Sequence, residues 1–208
     1  MSFCINWFRV MEILMTEYID AQIKESLSVL ASVYNNKTLL ANLYSSANAC
    51  ISAIRNGHKI LLAGNGGSAS DAQHIAAEFV CRFACDRIGL PAIALTTDSS
   101  VLTSIGNDYG FEYIFSRQIQ ALGNKGDVFI AYSTSGNSKN IINALNEAKK
   151  TGLTCIGLTG SSHGHMNGLC NYCLEVPSLQ TARIQEVHAL FGHILCGLVE
   201  SSILKKDP

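Results

Sequence analysis

The spacing of apolar residues changes near residue 59 and divides the chain into two parts. Between residues 16 and 55, apolar positions recur every three or four residues, as in amphipathic helices, and Asn35-Asn36 separates two such stretches. From Lys59 onward, short unbroken apolar runs alternate with stretches of helical spacing. The first part is therefore predicted to form two packing helices, and the second a repeated strand–helix pattern.

Five apolar runs are predicted to be strands. Their apolar residues do not alternate with polar ones, as expected for parallel strands covered on both faces. The runs span residues 60–63, 92–95, 128–132, 155–158 and 172–176. Helices are predicted near residues 69–82, 99–106, 111–122, 138–150, 163–168 and 183–204. The sequence thus predicts an α/β fold, a three-layer doubly wound sandwich around a five-stranded parallel sheet of the flavodoxin-like type.

Residues 1–15 form an apolar segment that we treat as separate from the domain. The segment includes Trp7, shows no small-residue cleavage site and is too short to span a bilayer. We interpret it as an extra N-terminal segment that results from a start codon assigned upstream of Met15. Residues 16–208 are then expected to form a single domain.

The composition limits the classes of protein to which the chain can belong. Hydrophobic residues make up 48% of the chain and charged residues 15%, which excludes a disordered chain. The net charge of -1 gives no electrostatic reason to expect nucleic acid or a membrane surface as partner. With so little charge, we expect apolar surface to be buried between subunits of an oligomer.

The cysteines point to a reducing compartment. Eight are scattered mostly within apolar runs, where they are expected to behave as small buried hydrophobes. The single CxxC motif, Cys170 to Cys173, is interpreted as structural rather than redox-active or zinc-binding. We therefore expect a cytoplasmic protein.

The loop after the third predicted strand, residues 133–138, has the sequence Ser-Thr-Ser-Gly-Asn-Ser. Four hydroxyls precede a predicted helix at the carboxyl end of a strand, where such folds bind ligands. Hydroxyls and backbone amides can bind a phosphate monoester without a cation. The alternative, a hydroxyl-rich helix cap, needs only one or two of these side chains. We predict that this hydroxyl loop binds phosphate.

Two other strand ends carry polar residues with open interpretations. The glycine-rich loop, residues 64–68, has the sequence Gly-Asn-Gly-Gly-Ser and suits either an anion or a tight turn with Ser68 as a helix cap. After the second predicted strand come Asp98, Asn107 and Asp108. Either acid can cap a helix, and carboxylates and amides also suit the hydroxyls of a polyol.

Two helices carry candidate catalytic or metal-binding residues. His74 and Glu78 are four residues apart and share one helix face, so they form either a functional pair or a solvated ion pair. The last helix carries Gln185, His188 and His193. Periodicity alone does not choose between the two histidines.

Three stretches of the chain resemble the sedoheptulose 7-phosphate isomerases (phosphoheptose isomerases) of the sugar-isomerase (SIS) family. They are residues 64–74 (GNGGSASDAQH), 133–138 (STSGNS) and 181–188 (TARIQEVH). The resemblance extends from about Met15 to Leu204. The hydroxyl loop is shared by the generic fold, whereas His74 with Glu78, followed by His193, is much more specific.

The resemblance implies a site at the carboxyl ends of the strands. It implies one zinc ion per subunit, held by His74, Glu78, Gln185 and His193, and it selects His193 over His188. Two residues eight positions apart lie about 12 Å apart along a helix, so Gln185 and His193 need nearly their full reach or come from different subunits. The implied substrate contacts are Asn65, Gly66, Gly67, Ser68, Glu78, Asn107, Asp108, Ser133, Thr134, Ser135, Ser138 and Gln185. Some members carry an acidic residue where this chain has Ala182.

The implied reaction converts D-sedoheptulose 7-phosphate to D-glycero-D-manno-heptose 7-phosphate, the first step of ADP/GDP-heptose biosynthesis for glycans such as lipopolysaccharide. Such an isomerisation moves a proton through an enediol. Glu78 is the expected base and His193 its acid–base partner. We expect a homotetramer with sites at subunit interfaces that binds a small sugar phosphate and neither nucleic acid nor membrane.

Three alternatives belong to the same fold. A non-catalytic regulator that binds the replication initiator resembles this chain throughout, but lacks the acid at the position of Glu78 and the histidine at that of His193. A sugar-phosphate sensor that controls transcription needs a basic DNA-binding domain, and residues 16–55 carry little basic charge. The third alternative is another sugar-phosphate isomerase, including the isomerase module of a larger amidotransferase, although the sequence shows no glutaminase region.

Overall fold

The structure, a computed structural model, describes residues 2–162 and 164–204, and only the backbone of residues 2–13. The described helices are α1 (Ser2–Asn35), α2 (Lys37–Arg55), α3 (Gly67–Val80), α4 (Ser99–Asp108), α5 (Ser116–Leu122), α6 (Lys139–Thr151) and α7 (Thr181–Leu204). A short 3₁₀ helix, Phe111–Tyr113, precedes α5. The strands are β1 (Ile60–Ala63), β2 (Ala92–Ala94), β3 (Val128–Tyr132), β4 (Thr154–Gly160) and β5 (Tyr172–Val176).

The five strands form one parallel sheet with the order β2-β1-β3-β4-β5. Ile60 at the start of β1 is in register with Ala92 on one side and Val128 on the other. This is the flavodoxin-like doubly wound order, in which the strand order reverses beside β1. The predicted fold class and all five predicted strands are confirmed.

Each central strand packs into two separate cores, one on each face of the sheet. Ile60 and Leu62 face the core formed with α1, α2, α3 and α7, whereas Leu61 and Ala63 face the core formed with α5 and α6. Successive side chains of a strand point to opposite faces, so a strand covered on both sides needs apolar residues at every position. This explains the unbroken apolar runs in the sequence.

The N-terminal part forms two helices, as predicted. Asn36 separates them and caps α2, because its side chain accepts a hydrogen bond from the backbone N–H of Leu39 at 3.0 Å. The backbone of residues 2–15 continues α1. Whether that segment is extra stays a prediction, and Met1 lies outside the described residues.

The helix predicted at residues 163–168 is wrong. Residue 163 lies outside the described residues, and residues 165–169 form a turn. The backbone N–H of Met166 donates to the carbonyl of Gly136 at 3.1 Å, which connects this turn to the hydroxyl loop. The segment contains Gly164 and Gly168, which also disfavour a helix.

Among the described helices, α7 alone has the length and composition of a membrane span, with a mean hydropathy of 1.5. A buried core helix has the same properties, and 44% of that apolar stretch is buried inside the protein. Phe191 and Leu195 are fully buried in the core beneath it. We therefore assign α7 as the central helix of its layer.

Replacing Asn36 by Ala is expected to lower the free energy of unfolding by about 1 kcal/mol, because α2 loses its N-cap. Urea denaturation at matched protein concentration measures the change. The control is Asn35→Ala, since the amide of Asn35 only donates to the carbonyl of Ala31 within α1. Equal stability of the two variants would contradict a capping role for Asn36.

Candidate active site

The hydroxyl loop connects β3 to α6 at the carboxyl edge of the sheet. The hydroxyl of Ser133 lies 3.0 Å from that of Ser138 and 3.5 Å from that of Ser135. Ser138 is the N-cap residue of α6, yet its side chain makes no capping hydrogen bond. Its hydroxyl is therefore directed to Ser133 rather than to the helix. The geometry favours an anion site over a simple helix cap.

The glycine-rich loop connects β1 to α3. The N-cap residue of α3 is Gly66, and Ser68 lies inside the helix and is buried. The alternative of Ser68 as the cap is therefore wrong. Gln185 of α7 lies against Gly67, where an added Cβ would be 2.6 Å from Nε2 of Gln185. A side chain at position 67 would displace Gln185 from this loop.

A reciprocal amide pair joins these two loops. Asn65 donates to the side-chain oxygen of Asn140 at 2.9 Å, and Asn140 donates to that of Asn65 at 2.8 Å. Asn140 is buried in the first turn of α6. The side chain of Asn65, a predicted substrate contact, thus connects the glycine-rich loop to the hydroxyl loop.

The segment after β4 packs against the hydroxyl loop and was missed from the sequence. Ser162 donates to the carbonyl of Ser135 at 2.7 Å. The side-chain oxygen of Asn137 lies 2.7 Å from Nδ1 of His165 and accepts from its backbone N–H at 3.1 Å. The rule that ligands bind at strand ends also applies to β4, and it would have identified this segment.

Helices α3 and α7 bring three of the predicted residues together. Nε2 of His74 lies 3.2 Å from Nε2 of His193 and 3.2 Å from Oε1 of Glu78. One ligand atom from each residue lies within 4.8 Å of the others. His74 is exposed, and the other two side chains are half-buried. Within the described part of the chain, this is the one such group of metal-ligating side chains.

The three donors fit zinc. Two imidazoles and a carboxylate are ordinary zinc ligands, and a tetrahedral ion with bonds of about 2.0–2.1 Å separates its ligand atoms by about 3.3 Å. The two separations of 3.2 Å, from Nε2 of His74 to Nε2 of His193 and to Oε1 of Glu78, are close to that value. Three protein ligands also leave a fourth position, as in catalytic zinc sites.

Gln185 does not join this cluster within one chain. It lies beside Gly67 at the start of α3, and seven residues separate Gly67 from His74, about 10 Å along the helix. His188 does not join it either, because its ring is fully buried beside Tyr132. Burial lowers the pKa of His188 from 6.5 to about 4, so it is neutral near pH 7.

The polar residues after β2 lie on and around α4. Asp98 caps this helix, because its side chain accepts from the backbone N–H of Val101. Asn107 and Asp108 lie at the opposite end of α4 and hydrogen-bond to each other at 2.8 Å. Asp108 and Asp98 both line a cavity of about 650 Å³. Asn107 and Asp108, which are predicted substrate contacts, therefore lie at the opposite end of α4 from its cap, Asp98.

A doubly wound sheet with a hydroxyl loop and a cluster of acid–base side chains defines a sugar-phosphate-binding fold. Comparison with known proteins supports this class. The SIS domain family matches residues 22–160. A phosphoheptose isomerase from Burkholderia pseudomallei (strain 1710b) is 60% identical over 190 residues, which cover 91% of this chain and 96% of that protein. One from Aneurinibacillus thermoaerophilus is 55% identical over 191 residues, which cover 92% and 96%.

A solved structure extends the likeness to three dimensions. The phosphoheptose isomerase GmhA from Neisseria gonorrhoeae is 42% identical and has a TM-score of 0.84, covering 90% of this chain and 99% of that one. The chain belongs to the SIS domain family and, within it, to the phosphoheptose isomerases.

Replacing Ser133 or Ser138 by Ala is expected to weaken binding of a sugar phosphate about ten- to hundredfold, the range for one hydrogen bond to a charged group. Calorimetric titration measures the affinity. Ser52→Ala, in α2 and remote from this loop, is the matched control. Unchanged affinity in both loop variants would exclude this loop as the phosphate site.

Proposed function

We propose that this isomerase interconverts D-sedoheptulose 7-phosphate and D-glycero-D-manno-heptose 7-phosphate in the cytoplasm, the first step of ADP/GDP-heptose biosynthesis. The observation that carries the proposal is the cluster of His74, Glu78 and His193 in a chain 60% identical to a phosphoheptose isomerase. A cytoplasmic location is supported by the free, buried thiols of Cys50, Cys155 and Cys196.

The two ends of the substrate have separate binding regions. The hydroxyls of residues 133–138 bind the phosphate as neutral donors. The glycine-rich loop starts α3, and His74 lies about 10 Å further along the same helix. The Asn65–Asn140 pair joins the glycine-rich loop to the hydroxyl loop, so a site that runs from these two loops along α3 to His74 suits an extended seven-carbon sugar phosphate.

Glu78 and His193 then divide the proton transfers. Glu78 removes a proton from C1 of the ketose, which gives an enediol, and returns the proton to C2 to give the aldose. His193 moves a proton between the oxygens on C1 and C2, so that the carbonyl and the hydroxyl exchange places. The neighbouring imidazole of His74, 3.2 Å from both residues, orients them.

A zinc ion, one per subunit, is part of this proposal. His74, Glu78 and His193 would hold it, with Gln185 as the fourth ligand. Because a carboxylate bound to zinc is a weaker base, Glu78 would loosen from the ion to accept the proton, which leaves an open position as in catalytic zinc sites. When bound, zinc supplies Lewis-acid stabilisation of the charge that develops on the substrate oxygens.

We further propose a homotetramer with sites at subunit interfaces. An exposed apolar stripe on α1 consists of Met15, Ile19, Ile23 and Leu27, each more than half exposed. A stripe of that kind is typical of a protein–protein interface. Because Gln185 lies beside Gly67 in its own chain, the Gln185 that completes the zinc site would come from a neighbouring subunit.

Glu78→Gln is expected to lower turnover of sedoheptulose 7-phosphate by about 10²-fold or more, because the amide cannot accept the proton. An assay coupled to the kinase that consumes the heptose 7-phosphate measures turnover with zinc-supplied enzyme. Glu147→Gln, in α6, is the matched control and should turn over normally. No turnover by the unsubstituted enzyme would refute the proposed reaction, and normal turnover by Glu78→Gln would refute the assigned base.

Hybrid oligomers test the shared site. Glu78→Gln and Gln185→Ala chains are each expected to be inactive alone. Coexpressed with separate affinity tags and purified through both, they should regain part of the activity, because some interfaces then combine an intact Glu78 with an intact Gln185. Hybrids as inactive as the separate variants would show that both residues act within one chain.

A further inference from the structure

A buried ion pair lies between the loop that follows α3 and the C-terminal part of α7. Nε of Arg87 lies 3.0 Å from Oε2 of Glu200, and the two side chains are only 2% and 3% exposed. Buried ion pairs are weak evidence for stability, since an apolar pair is often as stable. The position of this ion pair beside the candidate site indicates a role other than stability.

The carboxylate of Glu200 organises the loop of residues 81–87. It accepts hydrogen bonds from the backbone N–H groups of Phe83, Ala84 and Cys85 at 2.8–2.9 Å. Both carboxylate oxygens are therefore occupied by loop donors. The shape of the loop depends on one side chain of α7.

The guanidinium of Arg87 binds the other helix. It donates to the carbonyl of Glu78 at 2.8 Å and to that of Phe79 at 2.8 Å. These carbonyls belong to the last turn of α3, where backbone acceptors lack partners within the helix. Arg87 thus holds the backbone of Glu78, one of the three clustered residues, while its Nε binds α7 through Glu200.

The same loop places an aromatic ring on the cluster. The ring of Phe83 stacks on that of His193, with 5.8 Å between centroids and 30° between planes. Phe83 also lies over Gly197, where an added Cβ would be 3.4 Å from the ring. His193 and Glu200 are seven residues apart, so they share one face of α7. The ring of Phe83 and the carboxylate of Glu200 therefore lie on the same face of α7.

We infer that Arg87 and Glu200 are positioning residues for the cluster of His74, Glu78 and His193. The pair fixes α3 relative to α7 and holds Phe83 on His193, so that the three donors meet at one point. This inference rests on the proposed function only in the role given to the cluster. Outer contacts of this kind commonly change metal affinity or activity by 10- to 100-fold.

The test compares two buried carboxylates. Glu200→Gln keeps an oxygen for the loop N–H groups but removes the charge that pairs with Arg87. Asp127→Asn is the matched control: Asp127 is 1% exposed, pairs with Lys59 at 2.6 Å and accepts from the backbone N–H groups of Lys59 and Asn124. It precedes β3, at the opposite edge of the sheet from the hydroxyl loop.

Three readouts separate positioning from general stability: zinc affinity, kcat and the NMR shift of His193. The KM is a further check that the phosphate site is intact. Glu200→Gln is expected to weaken zinc binding, measured against a chromophoric chelator, by about tenfold or more. It should lower kcat similarly, leave the KM for the sugar phosphate within about twofold because the hydroxyl loop is unchanged, and remove the ring-current shift of His193 in NMR spectra. Asp127→Asn should lower the melting temperature and leave all three readouts unchanged.

Other outcomes also decide the matter. The inference would be overturned if Glu200→Gln left zinc affinity, kcat and the His193 shift unchanged. If Glu200→Gln fails to fold, Phe83→Leu retains the ion pair and should still weaken zinc binding and change the His193 shift; normal values would overturn it. If the unsubstituted enzyme binds zinc but does not isomerise the heptose phosphate, the proposed function fails while the zinc and NMR comparisons still decide this inference. If the unsubstituted enzyme binds no zinc, the NMR shift of His193 is the one measurement that tests the inference.

Discussion

Helices α3 and α7 are in contact at Gly192, and the cluster of His74, Glu78 and His193 lies beside this contact. A Cβ at Gly192 would be 2.5 Å from Cδ1 of Ile75, so a side chain there would require Ile75 to shift. The next residue of α7 and the preceding residue of α3 are His193 and His74, whose Nε2 atoms are 3.2 Å apart. The cluster is thus held by two helices packed on a sheet, and such elements position side chains more accurately than loops do.

The proposed phosphate end of the site is built differently, from loops that are connected to each other. The pair of Asn65 and Asn140 joins the loop after β1 to the loop after β3, and Ser162 adds the segment after β4. Binding energy from a phosphate, remote from the reacting carbons, can serve the transition state only if the two ends are held at a fixed separation. Helix α3, which starts at one region and carries His74 and Glu78 in the other, provides that separation.

The sequence predicts most of this fold, because strands covered on both faces must be apolar at every position, as residues 60–63 are. It predicts less of the site. The helical rise per residue predicts that Gln185 and His193 are far apart along α7. The contact of Gln185 with Gly67, however, depends on how α7 packs against α3, which the local sequence does not show. A turn at residues 165–169 stands in place of the predicted helix, and its hydrogen bond to Gly136 of the hydroxyl loop has no local sequence signal. Arg87 and Glu200 are 113 residues apart, so no local pattern connects them.

The burial of His188 has a consequence for acid tolerance. Its ring lies beside Tyr132 with no exposed surface, and burial lowers its pKa from 6.5 to about 4. Because the unfolded chain binds a proton more readily than the folded one, the stability that depends on neutral His188 is complete above pH 6.5 and is lost as the pH falls toward 4. A shift of that size corresponds to about 3 kcal/mol. One histidine outside the cluster of His74, Glu78 and His193 thus makes the fold itself sensitive to mild acid.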